Sequence, residues 1–213
     1  ASAGASAIDD LSDAKFGGTD FTGSLILGHQ TTGTLDDARN NVAVGGIALD
    51  AITSGDYNTA IGYDALTANT TGSSNTASGY ESLKSNTEAS YNTAMGYRAL
   101  KANTTGANNS AFGMQSLSAN TTGARNIAIG YTAYDGADTE DDNLAIGYAA
   151  LGGSIDGGEN NVAIGNYSLD ANTSGGLNVA VGFKVLTANT TGSSNTASGH
   201  KSMEANTTGG GNT

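Results

Sequence analysis

Along most of the chain, small and apolar residues return with a period of 17, alternating over a short stretch of each period before a polar turn takes over. Aligned on asparagine, the units begin at Ser24, Asn41, Asn58, Asn75, Asn92, Asn109, Asn126, Asn143, Asn161, Asn178 and Asn195, with a stub at Asn212. Every spacing is 17 except one of 18. The third position is alanine in ten units, with Ile26 in the first, and the fifth is glycine in all eleven. On a strand these two positions share a face, so that face accepts nothing larger than a methyl group in nearly every unit. The second and fourth positions are apolar or β-branched and point the other way, as in Val42 with Val44 and Ile127 with Ile129. The ninth is apolar or aromatic in all but the first unit, from Leu49 through Tyr134 to Met203, and predicts a stacked ladder. Asparagine at position twelve followed by Thr-Thr-Gly, as in residues 69 to 72, reads as a turn whose side chains bond their own backbone.

A fixed period of this length is that of a solenoid, where each unit is one coil and stacking buries what a single coil cannot. The pattern predicts an all-β fold, a parallel β-roll or β-solenoid of about eleven 17-residue coils over residues 24 to 213, each coil carrying a five-residue strand. Residues 1 to 23 read as an N-terminal junction or linker. The small face, represented by Ala60 with Gly62, Ala94 with Gly96, Ala128 with Gly130 and Ala163 with Gly165, is expected inside the roll against Leu66, Leu100 and Leu169, with the glycine at the closest approach. The fourth-position row, Ile61, Ser78, Met95, Phe112, Ile129, Ile146, Ile164, Val181 and Ser198, is then left for another chain to cover, and a parallel homotrimer is expected. A helical turn at "YDALTAN" is the weaker alternative, because Thr, Asn and Gly follow too soon for more than one turn. Strands stacked about 4.8 Å apart make eleven coils a rod roughly 50 Å long.

Composition narrows the function classes. Hydrophobic residues at 37% and aromatics at 6% supply only a narrow core, and 32 glycines without proline or cysteine point to close backbone approach without disulfides. Eight basic against twenty acidic residues give a net charge of −12, which argues against nucleic acid and anionic membranes as partners. No apolar run is long enough to span a bilayer. The chain starts without Met and stops inside a repeat, and reads as a piece of a longer or processed polypeptide.

Candidate chemistry is sparse. His29 and His200 share the sixth position and would form rings of three in a trimer, but neither has a second ligand nearby in sequence, so solvated histidine is the favoured reading. The acidic cluster of Asp135, Asp138, Glu140, Asp141 and Asp142 reads as a surface loop rather than a calcium site. Tyr63, Tyr80, Tyr97, Tyr131 and Tyr148 form a row that either stacks on sugars or packs coil on coil, the second being commoner. Eight Asn-x-Ser/Thr triplets, including those at Asn69, Asn103, Asn120 and Asn189, are turn chemistry first. No nucleophile elbow, phosphate-binding loop or His-rich metal motif occurs, so no enzyme, cofactor or metal is expected.

The signatures "NLAIGY" at 143 to 148 and "NVAIGN" at 161 to 166 resemble the coils in the heads of trimeric autotransporter adhesins of the YadA type. The longer repeat, with "ALTANTTG" after the signature, is similar to repeats of bacteriophage tail-fibre and tailspike proteins, and "IDDLSDAKFGG" at 8 to 18 is similar to junctions that precede them. The resemblance covers residues 24 to 213 and implies a left-handed roll. It implies a structural, non-enzymatic, trimeric fibre segment, the shaft or head of a phage tail fibre, that displays or contributes to host receptor binding. The implied partners are the chain itself and a host cell-surface receptor, a glycan among the candidates, with no nucleic acid and no membrane insertion. The implied location is the virion or the extracellular cell surface. One alternative is a bacterial adhesin head. Another is an ice-binding solenoid, suggested by threonine pairs such as Thr70 with Thr71, Thr104 with Thr105 and Thr190 with Thr191.

Overall fold

The computed structural model describes residues 14–16, 24–27, 37–136 and 138–213; of the expected junction only residues 14–16 fall among them, and Gly28 and His29 lie outside them. Twelve strands form one sheet in chain order: β1 (Ala14–Phe16), β2 (Leu25–Leu27), β3 (Val42–Val44), β4 (Thr59–Ile61), β5 (Thr76–Ser78), β6 (Thr93–Met95), β7 (Ser110–Phe112), β8 (Ile127–Ile129), β9 (Leu144–Ile146), β10 (Val162–Ile164), β11 (Val179–Val181) and β12 (Thr196–Ser198). From β2 to β12 all pairs are parallel and join like positions, so that Ala60 faces Ala77 and Ala77 faces Ala94. The chain is a β-solenoid whose eleven parallel strands come one per coil. β1 lies antiparallel to β2 at the end of the sheet, Lys15 opposite Ile26.

The strands are three residues long, not five. Each fifth-position glycine from Gly45 to Gly199 ends its strand with φ between 113 and 145°, a conformation L side chains rarely adopt. At Gly182 an added Cβ would stand 2.6 Å from the carbonyl oxygen of Gly199 in the next coil. The tight contact therefore runs up the stack from glycine to glycine, and Gly62, Gly96, Gly130 and Gly165 are half-buried corners.

Ala60, Ala94, Ala128 and Ala163 are fully buried and share one core with Leu66, Leu100 and Leu169. The eighth position completes this core, as in Ala65, Ala99 and Val185. Where it is serine, the hydroxyl finds a carbonyl: Ser82 Oγ donates to Gly79 and Ser116 Oγ to Gly113, each at 3.0 Å, while Ser168 Oγ reaches Ala180 in the next coil at 3.0 Å. Burying one leucine of this ladder contributes about 1.5 to 3 kcal/mol, and a single coil has nowhere to bury it. The return segment is a string of turns whose N–H groups reach the next coil, Leu66 to the Ser82 carbonyl at 3.1 Å and Ala68 to that of Lys84 at 3.2 Å, in place of helical bonds.

Two asparagine ladders run inside the stack, one at position one from coil to coil and one at position twelve in two runs, Asn69 to Asn120 and Asn172 to Asn206. At position one, Asn58 N–H donates to Asn41 Oδ1 at 2.8 Å, and its Nδ2 donates to the Gly72 carbonyl at 2.9 Å. At position twelve, Asn69 Nδ2 donates to that same carbonyl at 2.9 Å, while its Oδ1 accepts from Asn86 Nδ2 at 2.9 Å. The fifteenth-position carbonyl thus takes two donors, and the amides satisfy one another from coil to coil, which a buried polar group requires. The second ladder is interrupted at Asn120, whose Oδ1 is buried without a partner, because the sequence at position twelve of the next coil has Ala137, with no side-chain amide to offer; it resumes at Asn172, whose Oδ1 accepts from Asn189 Nδ2 at 3.1 Å. In that coil Tyr134 replaces leucine in the core and its hydroxyl accepts from Asn143 Nδ2 at 2.5 Å.

Candidate interaction surface

Side chains at the second and fourth positions stand away from the coil's own core. Ile61 is 45% exposed and Met95 44%, and Phe112, Ile129 and Val181 are exposed beside them. Ile146, Ile164 and Ser78 are half-buried on the same face, and Ser198 is exposed. Parallel pairing keeps them in register, Ile61 beside Ser78, Met95 beside Phe112, Ile129 beside Ile146 and Val181 beside Ser198. The nine fourth-position residues singled out from the sequence therefore form one continuous row along one strand face.

The sixth position turns the corner next to this row and carries the aromatic residues. Tyr63, Tyr80 and Tyr97 stack with centroids 5.8 and 5.4 Å apart. Tyr131 and Tyr148 stack at 5.4 Å, and Phe183 and His200 at 5.5 Å. Met114 interrupts the row between Tyr97 and Tyr131. Tyr167, one position on, enters it edge-on to Tyr148 at 5.1 Å and to Phe183 at 6.2 Å, with Lys184 Nζ 5.6 Å from the rings of both Tyr167 and Phe183. Between stacked neighbours the ring faces are already occupied, and a sugar that stacks on an aromatic needs an open face. The row is coil-to-coil packing along these pairs.

Beside the first tyrosine run lies the densest ion-pair cluster among the described residues. The nearly buried Glu81 carboxylate meets Lys101 at 2.8 Å, Arg98 at 2.7 Å and Lys84 at 3.1 Å, and Lys84 also meets Asp64 at 2.7 Å. Hydrogen bonding from Lys101 first, with Lys84 and Arg98, holds the Glu81 carboxyl at about 2 against the opposing effect of burial. The Arg98 guanidinium lies 4.9 Å over the Tyr97 ring. The Glu81 charge in turn pushes the Tyr80 phenol up.

The acidic stretch is tied down from within. Asp142 and Asp141 clasp Arg125, at 2.6 and 2.8 Å, and Asp141 also accepts the Ala124 N–H at 2.7 Å. The Arg125 guanidinium holds the Asp142 carboxyl below its ordinary value. Glu140 occupies the glycine register at position fifteen, and its buried carboxylate accepts the N–H groups of Asp138, Thr139 and Gly157 at 3.1 to 3.2 Å. Asp135 and Asp170 are pushed up, each chiefly by burial. Among the described residues no group of three or more His, Asp or Glu side chains is placed to hold a metal, and no helix is long and apolar enough to cross a membrane.

The threonine pairs divide between two environments. Thr70, Thr104 and Thr190 donate their hydroxyls to the carbonyls of Thr87, Thr121 and Thr207 in the next coil, at 3.0 to 3.1 Å. Thr71, Thr105 and Thr191 are exposed, in a row broken by Glu88 and Gly157.

The position-twelve asparagine bonds its own turn as the sequence predicts, Asn69 Nδ2 donating to the Gly72 carbonyl, but the coil-to-coil ladders and the burial of position one were not foreseen. Position one is asparagine in every unit after the first, a restriction that a surface turn would not impose, and that was the available signal for the buried ladder. No family model matches the chain, and neither a curated protein nor a solved structure matches it.

Proposed function

We propose that this chain is a structural, non-enzymatic fibre segment in which three parallel copies cover one another's fourth-position rows, forming a rigid spacer that displays, or contributes to, binding of a receptor on a host cell surface. The observation that carries this reading is the row itself. It presents exposed isoleucine, valine, methionine and phenylalanine in strict register over most of the stack, beside an interior that is already complete. A monomer gains nothing from isoleucine at those positions, whereas an extended apolar stripe of this kind is a surface for association. The coil-to-coil asparagine and glycine contacts make the stack stiff along its axis, as a spacer needs. Display by a phage fibre and display by a bacterial adhesin use this geometry equally. The broken threonine row supports no ice-binding face, and solutions of the protein are expected to show no thermal hysteresis. Small-angle X-ray scattering tests the spacer: the expected particle is a rod whose mass per unit length corresponds to three coils per ~4.8 Å of rise. A rod with one coil per rise contradicts the reading.

A further inference from the structure

The rings of Tyr63, Tyr80 and Tyr97, and again of Tyr131 and Tyr148, stand nearly parallel on consecutive coils, with centroids 5.4 to 5.8 Å apart and planes within 12° of one another. All five rings are exposed. Within each stack the facing surfaces cover each other, while the ring edges remain open to solvent. We infer that these stacked pairs are sites of oxidative coupling, at which a peroxide-driven one-electron oxidant joins neighbouring coils through dityrosine bonds. Each phenol gives up one electron and one proton, leaving a phenoxyl radical whose unpaired spin extends to the ring carbons ortho to oxygen. A bond forms between ortho carbons of the two rings, and the hydrogens on those carbons move to the oxygens as aromaticity returns. Two phenols and one hydrogen peroxide give one dityrosine and two waters.

Geometry selects the pairs. Two rings held in contact on a stiff scaffold react as one molecule, at an effective concentration no mixture of separate chains attains. Tyr57 and Tyr91 are more exposed, at 63% and 65% against 41% for Tyr80 and 39% for Tyr97, yet they have no ring partner among the described residues. Tyr148 meets Tyr167 at 62°, with the rings edge-on. Tyr134 is buried in the core. Accessibility alone would favour Tyr57 and Tyr91, and stacking favours the row. The inference stands apart from the fibre reading, since both rings of each pair belong to one chain.

The test treats the purified protein with hydrogen peroxide and a haem peroxidase, then maps cross-linked peptides by fragmentation mass spectrometry. The expected products join Tyr63 to Tyr80, Tyr80 to Tyr97 and Tyr131 to Tyr148, each with the loss of two hydrogens, while most chains stay single on a denaturing gel. Tyr80→Phe keeps a stacking ring without a phenol; it is expected to abolish both couples that include residue 80 and leave the Tyr131 to Tyr148 yield unchanged. Coupling led by Tyr57 or Tyr91, coupling chiefly between chains, or no dityrosine under conditions that couple free tyrosine overturns the inference.

Discussion

In each coil from the one that begins at Asn58 to the one that begins at Asn178, three residues hold the left-handed conformation without being glycine. In the coil that begins at Asn75 they are Glu81 at φ 54°, Leu83 at φ 49° and Tyr91 at φ 64°, and the same positions repeat up the stack. Such a residue costs about 1 to 2 kcal/mol. Bonds between coils offset the cost: the Glu81 N–H reaches back to the Tyr63 carbonyl at 3.0 Å and the Leu83 N–H forward to that of Ala99 at 3.1 Å. The β-branched Thr132, at φ 47°, is the least suited to this conformation. Thr132→Asn is expected to raise stability by about 1 kcal/mol in denaturant unfolding, asparagine being at home there; an unchanged midpoint would mean that the backbone there is not strained. Gly130→Val is expected to misfold its coil, because the new side chain meets the Gly147 carbonyl, whereas Ile129→Val beside it should cost only about 0.5 to 1.5 kcal/mol. Asn103 donates to Asn86 Oδ1 and accepts from Asn120, so Asn103→Ala leaves a buried amide oxygen unpaired and should cost about 1 to 3 kcal/mol. Asn120→Ala should cost less, because its Oδ1 already lacks a partner. The small, buried third position was legible from the sequence because sterics admits few alternatives there, whereas the fifth-position glycine, read as interior, is required by its positive φ at the corner. The left-handed leucines were not legible, because local preference opposes them and only the neighbouring coil makes them worthwhile.

At the scale of the element, the period fixed the register of the strands but not their length. Five residues per coil share ladder bonds, yet the positive φ of glycine cuts the extended stretch to three. β1 carries no trace of the repeat, so nothing in the periodicity foretold an antiparallel strand beside β2. The Glu81 cluster spans three coils by joining Asp64, Lys84, Arg98 and Lys101, and it makes coil-to-coil adhesion depend on pH. The Glu81 carboxyl is depressed from its ordinary 4.5 to about 2 in the folded state. Its contribution is therefore fully present above about 4.5 and is lost as pH falls towards 2. Thermal unfolding at fixed protein concentration should show a midpoint that drops across this window. Glu81→Gln should lower the neutral-pH midpoint and flatten that drop, and an equally steep drop in the variant would remove the cluster from the cause.

Over the whole molecule, the interior and the outer row tell different stories. The interior of alanine, leucine and asparagine closes within one chain and explains why the coils stack. It does not explain Ile61, Met95, Phe112 or Ile129, which contribute little until something covers them. Completing the burial of one half-exposed isoleucine is worth on the order of 1 kcal/mol, and the row repeats it at most levels of the stack. The solenoid was legible from the sequence because its period is local; the trimer expected to cover the row rests on its apolar side chains alone, because the spacing of a repeat carries no mark of a second chain. The most direct test is the mass of the folded particle at micromolar concentration by light scattering, for the protein and for the double variant Ile129→Asp with Ile146→Asp. Three chains for the protein, and a smaller or unfolded species for the variant, is the predicted result. A folded single chain in both cases would contradict the assembly.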